Sequence, residues 1–310
     1  MSDTIYIIVG ATASGKTNVS IEVAKQIDAQ IISADSVQVY KHLNIGSAKP
    51  TKAEMQGIKH FLVDEIELDA PLFSVSQYQK RAFNAIEEIY NDKHLPLIVG
   101  GTGLYINSLI YPLEFTDAQY DEDMRKNLQE KEEQQKGVLF EELIKIDPDY
   151  AYRIHVNDVK RTIRALEVFY NTGKTMTQYT QENAKKKPLY DSKIVGIDMP
   201  RELIYQRIEQ RVDLMINHGL VEEVEGILKM GYSSDANSLQ GLGYKEIIAA
   251  LEGKMTMDEA IDKVKLETRH FAKRQLTWFR RNKDIVWIDG TQKVEEMTKN
   301  ICDCWGFEYK

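Results

Sequence analysis

The sequence predicts an α/β fold in which a parallel β-sheet is flanked by helices, with a helical insertion domain. Helical segments separate the early apolar runs, and such alternation of strands and helices indicates a parallel sheet covered on both faces. The segment from Val75 to Tyr90 is one such helix, because its apolar residues recur at helical spacing. No convincing strand occurs between Asp117 and Lys187. Six short apolar runs have the character of buried strands: TIYIIVG, AQIISAD, KHFLVD, LPLIVGG, KIVGID and IVWID.

The first predicted strand leads into the loop GATASGKT, which matches the full pattern G-x-x-x-x-G-K-[ST]. Glycines in such a loop let backbone N–H groups turn toward phosphate oxygens, and the following helix presents its N-terminus to the same anion. Lys16 adds a positive charge, and the Thr17 hydroxyl can ligate Mg²⁺. The pattern predicts a P-loop NTPase-like fold, for which a nucleotide is the default ligand. The predicted phosphate-binding residues are Gly10, Ala11, Thr12, Ala13, Ser14, Gly15, Lys16 and Thr17.

Two later strand ends are predicted to lie beside this loop. The second strand ends in Asp35, and the carboxyl end of a parallel strand faces the ligand crevice. Asp35 could be a metal ligand or a general base, or it could only cap a turn. The fourth strand ends in Gly100 and Gly101, followed by the hydroxyl of Thr102. An ordinary NTPase has an acidic residue at such a strand end, so the glycines weaken the prediction of an ATPase.

Residues 113–187 are predicted to form a helical insertion domain, and residues 1–112 together with 188–310 are predicted to form the core. One helix of the insertion should end at Gly173, because glycine is common immediately after helices. After the insertion, two helices are expected on either side of Gly219.

Positive charge is concentrated in clusters, although the formal net charge of the chain is −8. A negative total argues mildly against a nucleic-acid partner, but local clusters decide contact. The cluster at residues 269–283 contains Trp278 and Phe279, which we expect to be core residues rather than platforms for base stacking. The clusters are residues 269–283, Lys160 with Arg161 and Arg164, and residues 185–187.

Composition excludes several classes of protein. Hydrophobic residues make up 43% and charged residues 28%, which is typical of a soluble globular protein, and no run of 18 apolar residues suggests a membrane span. The apolar N-terminal run is interpreted as a buried strand rather than a signal peptide. Cys302 and Cys304 are separated by one residue, which suits neither a disulfide framework nor a zinc site. A reducing cytoplasm is therefore the expected location.

Eight segments in this order resemble the bacterial tRNA dimethylallyltransferase family, whose members prenylate an adenosine beside the anticodon. The resemblance extends from Ile5 to about Asp289 and is highly specific outside the phosphate loop. It departs from the family at Ala11, where proline is common, and at Lys59, where the first histidine of a pair is usual; neither residue touches the proposed chemistry. The segments are GATASGKT, SADSVQVYKHLNIGSAKP, FSVSQYQ, LPLIVGGTGLY, RIHVNDVKRTIRALEV, RVDLMINHGLVEEV, QGLGYKE and RHFAKRQLTWFRR.

The resemblance implies that the loop binds the diphosphate of dimethylallyl diphosphate rather than a nucleotide. The N6 amine of adenosine 37 in tRNA would attack the allylic carbon, and Mg²⁺ and Lys16 would stabilise the departing diphosphate. Asp35 would be the general base, and Thr102 would form a hydrogen bond near the leaving oxygen. Arg211 would contact the diphosphate, although its position also suits an exposed helix residue.

The resemblance also implies that the partner is the anticodon stem-loop of tRNA, whose adenine must flip out of the base stack. A cytoplasmic monomer without membrane contact is expected. Alternatives are a small-molecule kinase, a prenyltransferase acting on free adenine nucleotides, and an RNA-binding module with a relic phosphate loop. The insertion and the basic C-terminal helix favour tRNA over a free nucleotide. The residues expected to contact tRNA are Asp35, Ser36, Val37, Gln38, Thr102, Arg125, Lys160, Arg161, Thr162, Ile163 and Arg164.

Overall fold

A computed structural model describes residues 4–70, 73–111, 122–184 and 187–309. Six parallel strands form one sheet in the order β3-β2-β4-β1-β5-β6, which confirms the predicted fold class and all six strands. The strands are β1 (Thr4–Gly10), β2 (Ala29–Ala34), β3 (His60–Phe61), β4 (Leu95–Gly100), β5 (Asp191–Asp198) and β6 (Val286–Asp289).

The helices before the insertion connect the first strands. The predicted amphipathic helix is confirmed as α3, and Ser74 and Gln77 form a reciprocal capping box at its N-terminus. Its buried residues are those with the predicted spacing: Tyr78, Ala82, Ala85, Ile86 and Ile89. The helices are α1 (Lys16–Gln26), α2 (Lys52–Met55), α3 (Val75–Asn91) and α4 (Gly103–Ile110).

The chain divides into two compact units, one made of Met1–Ile110 with Tyr190–Lys310 and the other of Tyr111–Leu189. These bounds differ by two residues from the expected 1–112, 113–187 and 188–310. The described part of the second unit is helical and has a small core of its own, which includes Leu139, Leu143 and Leu166. Its helices are α5 (Glu122–Gln134), α6 (Val138–Ile146), α7 (Pro148–Ala151), α8 (Val159–Thr172) and α9 (Met176–Ala184).

Glycines end or separate helices where the sequence predicted. Gly173 follows α8 with φ of 70°, and Gly219 separates two helices with φ of 94°, a conformation that costs side chains other than glycine free energy. The helices after the insertion are α10 (Arg201–Asn217), α11 (Leu220–Lys229), α12 (Tyr244–Leu251), α13 (Met257–Phe279) and α14 (Val294–Trp305).

Alternating residues of β1 bury opposite faces of the sheet. Ile5 and Ile7 pack in a core cluster with residues of α3, α4 and α12, whereas Tyr6 and Ile8 pack with α1 and α14. The register aligns the ends of β1, β2 and β4, because Gly100 is paired with both Val9 and Ala34. The loops that follow these three strands are therefore brought to one edge of the sheet, where ligands bind in open α/β folds.

The expectation that both aromatic residues of the basic helix lie in the core is half wrong. Phe279 is buried, but 39% of Trp278 is exposed. The indole lies against the backbone of Gly103, where an added Cβ would approach Trp278 Cδ1 to 2.2 Å. The ring is therefore packed along one edge on the surface rather than enclosed. Among the described residues, no helix is long and apolar enough to span a membrane.

Candidate active site

The phosphate loop has an open concave backbone followed at once by α1. Ala13 and Gly15 have positive φ values of 62° and 90°, and Ser14 N donates to Ala11 O, so the chain turns sharply before Lys16 begins the helix. The N-cap residue of this helix is Gly15, which has no side chain with which to cap the helix N-terminus. Its first N–H groups can therefore serve an anion, as expected from the sequence.

The Lys16 ammonium group lies inside the curve of the loop. Its Nζ donates to Gly10 O at 2.9 Å and to Ala11 O at 2.6 Å. Burial, and to a lesser degree the positive charge of Arg211, lower the pKa of Lys16 to about 7, although the negative charge of Asp35 opposes the change. An anion in the loop would reverse this effect by stabilising the protonated form.

Two arginines of α10 face the loop. Arg211 donates from a terminal guanidinium nitrogen to Thr12 Oγ1 at 3.3 Å, and burial lowers the pKa of this arginine although Asp35 and Glu54 act against it. The guanidinium of Arg207, one turn earlier, lies 3.8 Å from the position of a Cβ built on Gly15. Sequence reasoning missed Arg207, although its i, i+4 spacing from Arg211 could have indicated it.

Asp35 is held beside the loop by the turn that it caps. Its Oδ1 accepts hydrogen bonds from Val37 N at 2.8 Å and Gln38 N at 3.2 Å, so the turn-cap interpretation holds for this oxygen. Within the described part of the chain, no side chain or backbone group donates to the other oxygen. Asp35 therefore has a fixed orientation, and its second carboxylate oxygen is available to contact a ligand.

Thr102 connects the loop after β4 to the loop after β2. Its Oγ1 accepts from Ser36 N at 3.2 Å, and its N–H donates to Ala34 O at 3.1 Å. The structure therefore brings Thr102 and Asp35 into neighbouring turns, as the strand order requires.

At Gly100, the last residue of β4, an acidic side chain would clash with the backbone of β2. A Cβ on Gly100 would lie 2.2 Å from Ala34 O, and one on Gly101 would lie 2.1 Å from Gln275 Nε2. Gln275 comes from α13, and its Oε1 accepts from Thr12 N at 2.8 Å while its Nε2 donates to Gly101 O at 3.0 Å. Sequence reasoning missed this side chain, which fills the place beside the loop.

Two cavities meet at the phosphate loop. The first, of about 440 Å³, is lined by the loop from Thr12 to Thr17 and by Arg207. The second, of about 250 Å³, has mostly apolar walls from α10 and α13, and its lining includes Thr102. A third cavity, of about 510 Å³, contains no residue of the loop, so we assign it no part in this site. The first two cavities share Thr12, Asp35, Ser47 and Arg211.

Glu223, for which the sequence motifs predicted no role, holds one side of the two cavities. Glu223 accepts from Asn44 N, Ile45 N and Gly46 N at 2.9–3.3 Å, and from Tyr244 OH at 2.8 Å. Burial raises the pKa of Tyr244, and the neighbouring carboxylate adds to this effect. The expected tRNA-side residues of this unit line the two cavities: Asp35, Ser36, Val37, Gln38 and Thr102.

The helical unit distributes its predicted tRNA-binding residues between interior and surface. Lys160 and Arg161 are exposed, and Arg161 lies 3.4 Å from Asp158. Thr162 and Ile163 are buried, and the Thr162 hydroxyl donates to Asp158 O. The expected cluster at residues 185–187 lies mostly outside the described residues.

Arg125 and Arg164 both pair with the buried carboxylate of Glu167. Arg125 donates two hydrogen bonds of 2.9 Å to Glu167, and Arg164 donates one of 2.6 Å. Burial alone would raise the pKa of Glu167, but the hydrogen bonds from the two arginines outweigh it and hold the pKa below its usual value. These contacts give both arginines a role inside the unit, while their expected contact with tRNA stays a prediction.

Known proteins of one enzyme family are similar to this chain over most of its length. A family model described as IPP transferase matches residues 38–282. The chain is 47% identical over 303 residues to a tRNA dimethylallyltransferase of Acetivibrio thermocellus, with 96% of each chain covered. It is 48% identical over 303 residues to a protein of the same name from Carboxydothermus hydrogenoformans, with 97% of each covered.

Solved structures give the same result. A tRNA delta(2)-isopentenylpyrophosphate transferase of Staphylococcus epidermidis is similar with a TM-score of 0.73 and 39% identity, over 98% of this chain and 99% of that one. A eukaryotic dimethylallyltransferase acting on tRNA has a TM-score of 0.79 and 28% identity, over 93% of this chain and 74% of that one. The family match, the high identity over nearly the whole length and the shared fold show that this chain belongs to the IPP transferase family, together with the bacterial tRNA dimethylallyltransferases.

Proposed function

We propose that this protein transfers the dimethylallyl group from dimethylallyl diphosphate to N6 of adenosine 37, the nucleotide 3′ of the anticodon in tRNA. The observation that carries the proposal is the direct connection between the phosphate loop and an apolar cavity. Thr12 and Arg211 line both spaces, so a diphosphate on the loop would extend its organic group into the apolar one. A five-carbon chain suits such walls, because burial of its methyl and methylene groups is favourable.

The reaction forms a bond between N6 and the allylic carbon and breaks the bond between that carbon and the diphosphate oxygen. The electron pair of the broken bond leaves with the diphosphate, which Lys16 and Arg211 stabilise. Asp35 accepts the proton that N6 loses, through the oxygen that does not cap the turn. Thr102 lines the apolar cavity together with Asp35, and its hydroxyl donates a hydrogen bond near the leaving oxygen.

Mg²⁺ is the proposed cofactor, and the donors present suit an ion that is carried mainly by the diphosphate. Among the described residues, no group of three or more His, Cys, Asp or Glu side chains could hold a metal ion. The Thr17 hydroxyl lines the loop cavity and forms no side-chain hydrogen bond within the described chain. Thr17 would supply one ligand, and the ion would neutralise charge on the departing diphosphate.

The proposed partner is the anticodon stem-loop, whose adenine would enter the apolar cavity past Ser36 and Val37. Lys160 and Arg161 would contact tRNA phosphates from the helical unit, as would Arg125 and Arg164 in addition to their pairing with Glu167. Thr162 and Ile163 would support this surface from within. We further propose a cytoplasmic monomer, which sedimentation at several protein concentrations would check.

The test is to incubate the protein with dimethylallyl diphosphate, Mg²⁺ and an anticodon stem-loop RNA, and to identify the nucleosides by mass spectrometry. We expect N6-dimethylallyladenosine, and none from an RNA with guanosine at position 37. Parallel reactions contain labelled ATP or free AMP as alternatives. Phosphoryl transfer without prenyl transfer would indicate a kinase, and faster prenylation of AMP than of the stem-loop would indicate a free-nucleotide enzyme. Either result would contradict the proposal.

A further inference from the structure

Gln275 connects the phosphate loop to the turn after β4 by a pair of opposite hydrogen bonds. Its carboxamide accepts from Thr12 N at 2.8 Å and donates to Gly101 O at 3.0 Å, and only 7% of the residue is exposed. Glutamine satisfies both partners because its amide is an acceptor at one atom and a donor at the other. The amide orientation is therefore set by one N–H group and one carbonyl group.

The two hydrogen bonds join groups that bind different substrates in the proposed reaction. On one side, Thr12 also accepts from Arg211 through its hydroxyl, and both residues line the loop cavity. On the other side, Gly101 precedes Thr102, whose hydroxyl accepts from Ser36 N beside Asp35. A continuous series of contacts thus runs from the diphosphate-binding arginine to the turn that carries the general base.

We infer that Gln275 is a positioning residue, which fixes the distance between the leaving group and the acceptor amine. This inference rests on the proposed function and adds to it, because Gln275 lines the loop cavity while both polar atoms of its carboxamide are engaged by backbone groups. The geometry of the neighbouring glycine fits the inference: a Cβ on Gly101 would lie 2.1 Å from Gln275 Nε2. The close approach of the two loops therefore depends on an amide at one position and on glycine at the other.

The first experiment replaces the amide by an apolar group of similar size, Gln275→Leu, and measures steady-state prenyl transfer with both substrates saturating. We expect kcat to fall about 10- to 100-fold, because misplacement of reacting groups by about 1 Å costs rates of this order. The affinity for the stem-loop RNA should stay within about twofold. The control is Thr277→Val, which changes an exposed residue of the same helix whose hydroxyl donates to Lys273 O.

A mutant cycle separates positioning from a loss of fold. Gly101→Ala should lower kcat by displacing Gln275, and combining it with Gln275→Ala should lower kcat no further than the worse single variant, because both changes break the same contact. Thermal unfolding with and without inorganic pyrophosphate shows whether each variant is folded and binds a diphosphate. Multiplied effects in the double variant would overturn the inference.

A charged variant supplies a second signature. In Gln275→Glu, a protonated carboxyl would keep the acceptor and the donor, whereas an ionised one would face Gly101 O without a proton. We expect the kcat of this variant relative to the parent to fall as pH rises. The parent is measured at every pH beside the variant, because other charged residues line the same cavity: Lys16, Asp35, Lys49, Glu54, Arg207 and Arg211.

The results distinguish this inference from the proposed function. A parent protein without prenyl transfer would contradict the function itself. A parent with activity, together with parental kcat in Gln275→Leu or an equal loss in the Leu and Glu variants at every pH, would overturn the positioning role alone.

Discussion

Lys16 is the residue whose ionisation should report ligand binding. Its pKa is lowered to about 7 by burial and by Arg211, so in the free protein it is mostly neutral at pH 8 and mostly charged at pH 6. A bound diphosphate stabilises the charged form and raises the pKa again. Binding should therefore take up about one proton at pH 8 and close to none at pH 6, and affinity should fall as pH rises above about 7.

Calorimetry in buffers with different ionisation enthalpies measures this proton uptake for dimethylallyl diphosphate. Lys16→Met is the control, since it removes the amine and leaves the ionisation of the free ligand unchanged. If parent and variant take up the same number of protons at pH 8, the uptake belongs to another group.

An isosteric variant can separate the turn-capping role of Asp35 from its proposed role as general base. Asparagine keeps an oxygen that can accept from Val37 N and Gln38 N, so Asp35→Asn should preserve the turn and remove only the base. We expect kcat to fall about 10²–10⁴-fold, the range for a positioned general base, with little change in RNA affinity. Asp35→Ala should lower both kcat and thermal stability. Single-turnover rates decide the matter, and an unchanged rate in Asp35→Asn would exclude Asp35 as the base.

Site residues that belong to short contiguous motifs could be predicted from the sequence, whereas a residue contributed by a distant segment could not. The phosphate loop and Asp35 belong to short motifs with a mechanical meaning, and the sequence placed them correctly beside one another at the sheet edge. Gln275 could not be found in this way, because it contacts Thr12 across 263 residues of chain and only the packing of α13 reveals it. The sequence also could not decide between a turn cap and a general base at Asp35, because aspartate serves both purposes.

At the scale of elements, periodicity predicted what is buried better than it predicted what is exposed. The buried face of α3 was predicted correctly, because apolar residues that recur at helical spacing pack against the sheet. The prediction that Trp278 lies in the core was wrong, because Gly103 has no side chain and its backbone provides a surface on which the indole lies partly exposed. A glycine 175 positions away in sequence thus decides the environment of a tryptophan.

The loop of residues 44–47 should depend on α11 through Glu223. Its carboxylate accepts three backbone N–H groups and the Tyr244 hydroxyl, and removing a charged acceptor leaves these partly buried donors unsatisfied. Glu223→Ala should therefore lower the free energy of unfolding by about 2 kcal/mol. Urea denaturation measures this change, with exposed Glu222→Ala as the matched control. Equal losses in the two variants would show that only the charge of α11 matters.

At the scale of the whole molecule, the sequence predicts two units because the pattern of secondary structure changes from alternating strands and helices to helices alone. The sequence predicts the distribution of available positive charge less well. The sequence shows basic clusters, but only the structure shows that Arg125 and Arg164 are engaged by buried Glu167. Lys160 and Arg161 are the members of that cluster that are left most exposed, which makes their charges the most available to a polyanion.

Replacing Lys160 and Arg161 by glutamine should weaken binding of the stem-loop RNA and reduce its dependence on salt. Each lost phosphate contact lowers the slope of log K against log salt concentration by about 0.7–0.9, so the double variant should lose about 1.5. The control replaces exposed Lys229 and Lys254, which changes the net charge by the same amount in the other unit. Fluorescence titration between low and moderate salt gives both slopes. If the two double variants give equal slopes, RNA binding responds to total charge, whereas a smaller slope for the first alone places two phosphates on α8.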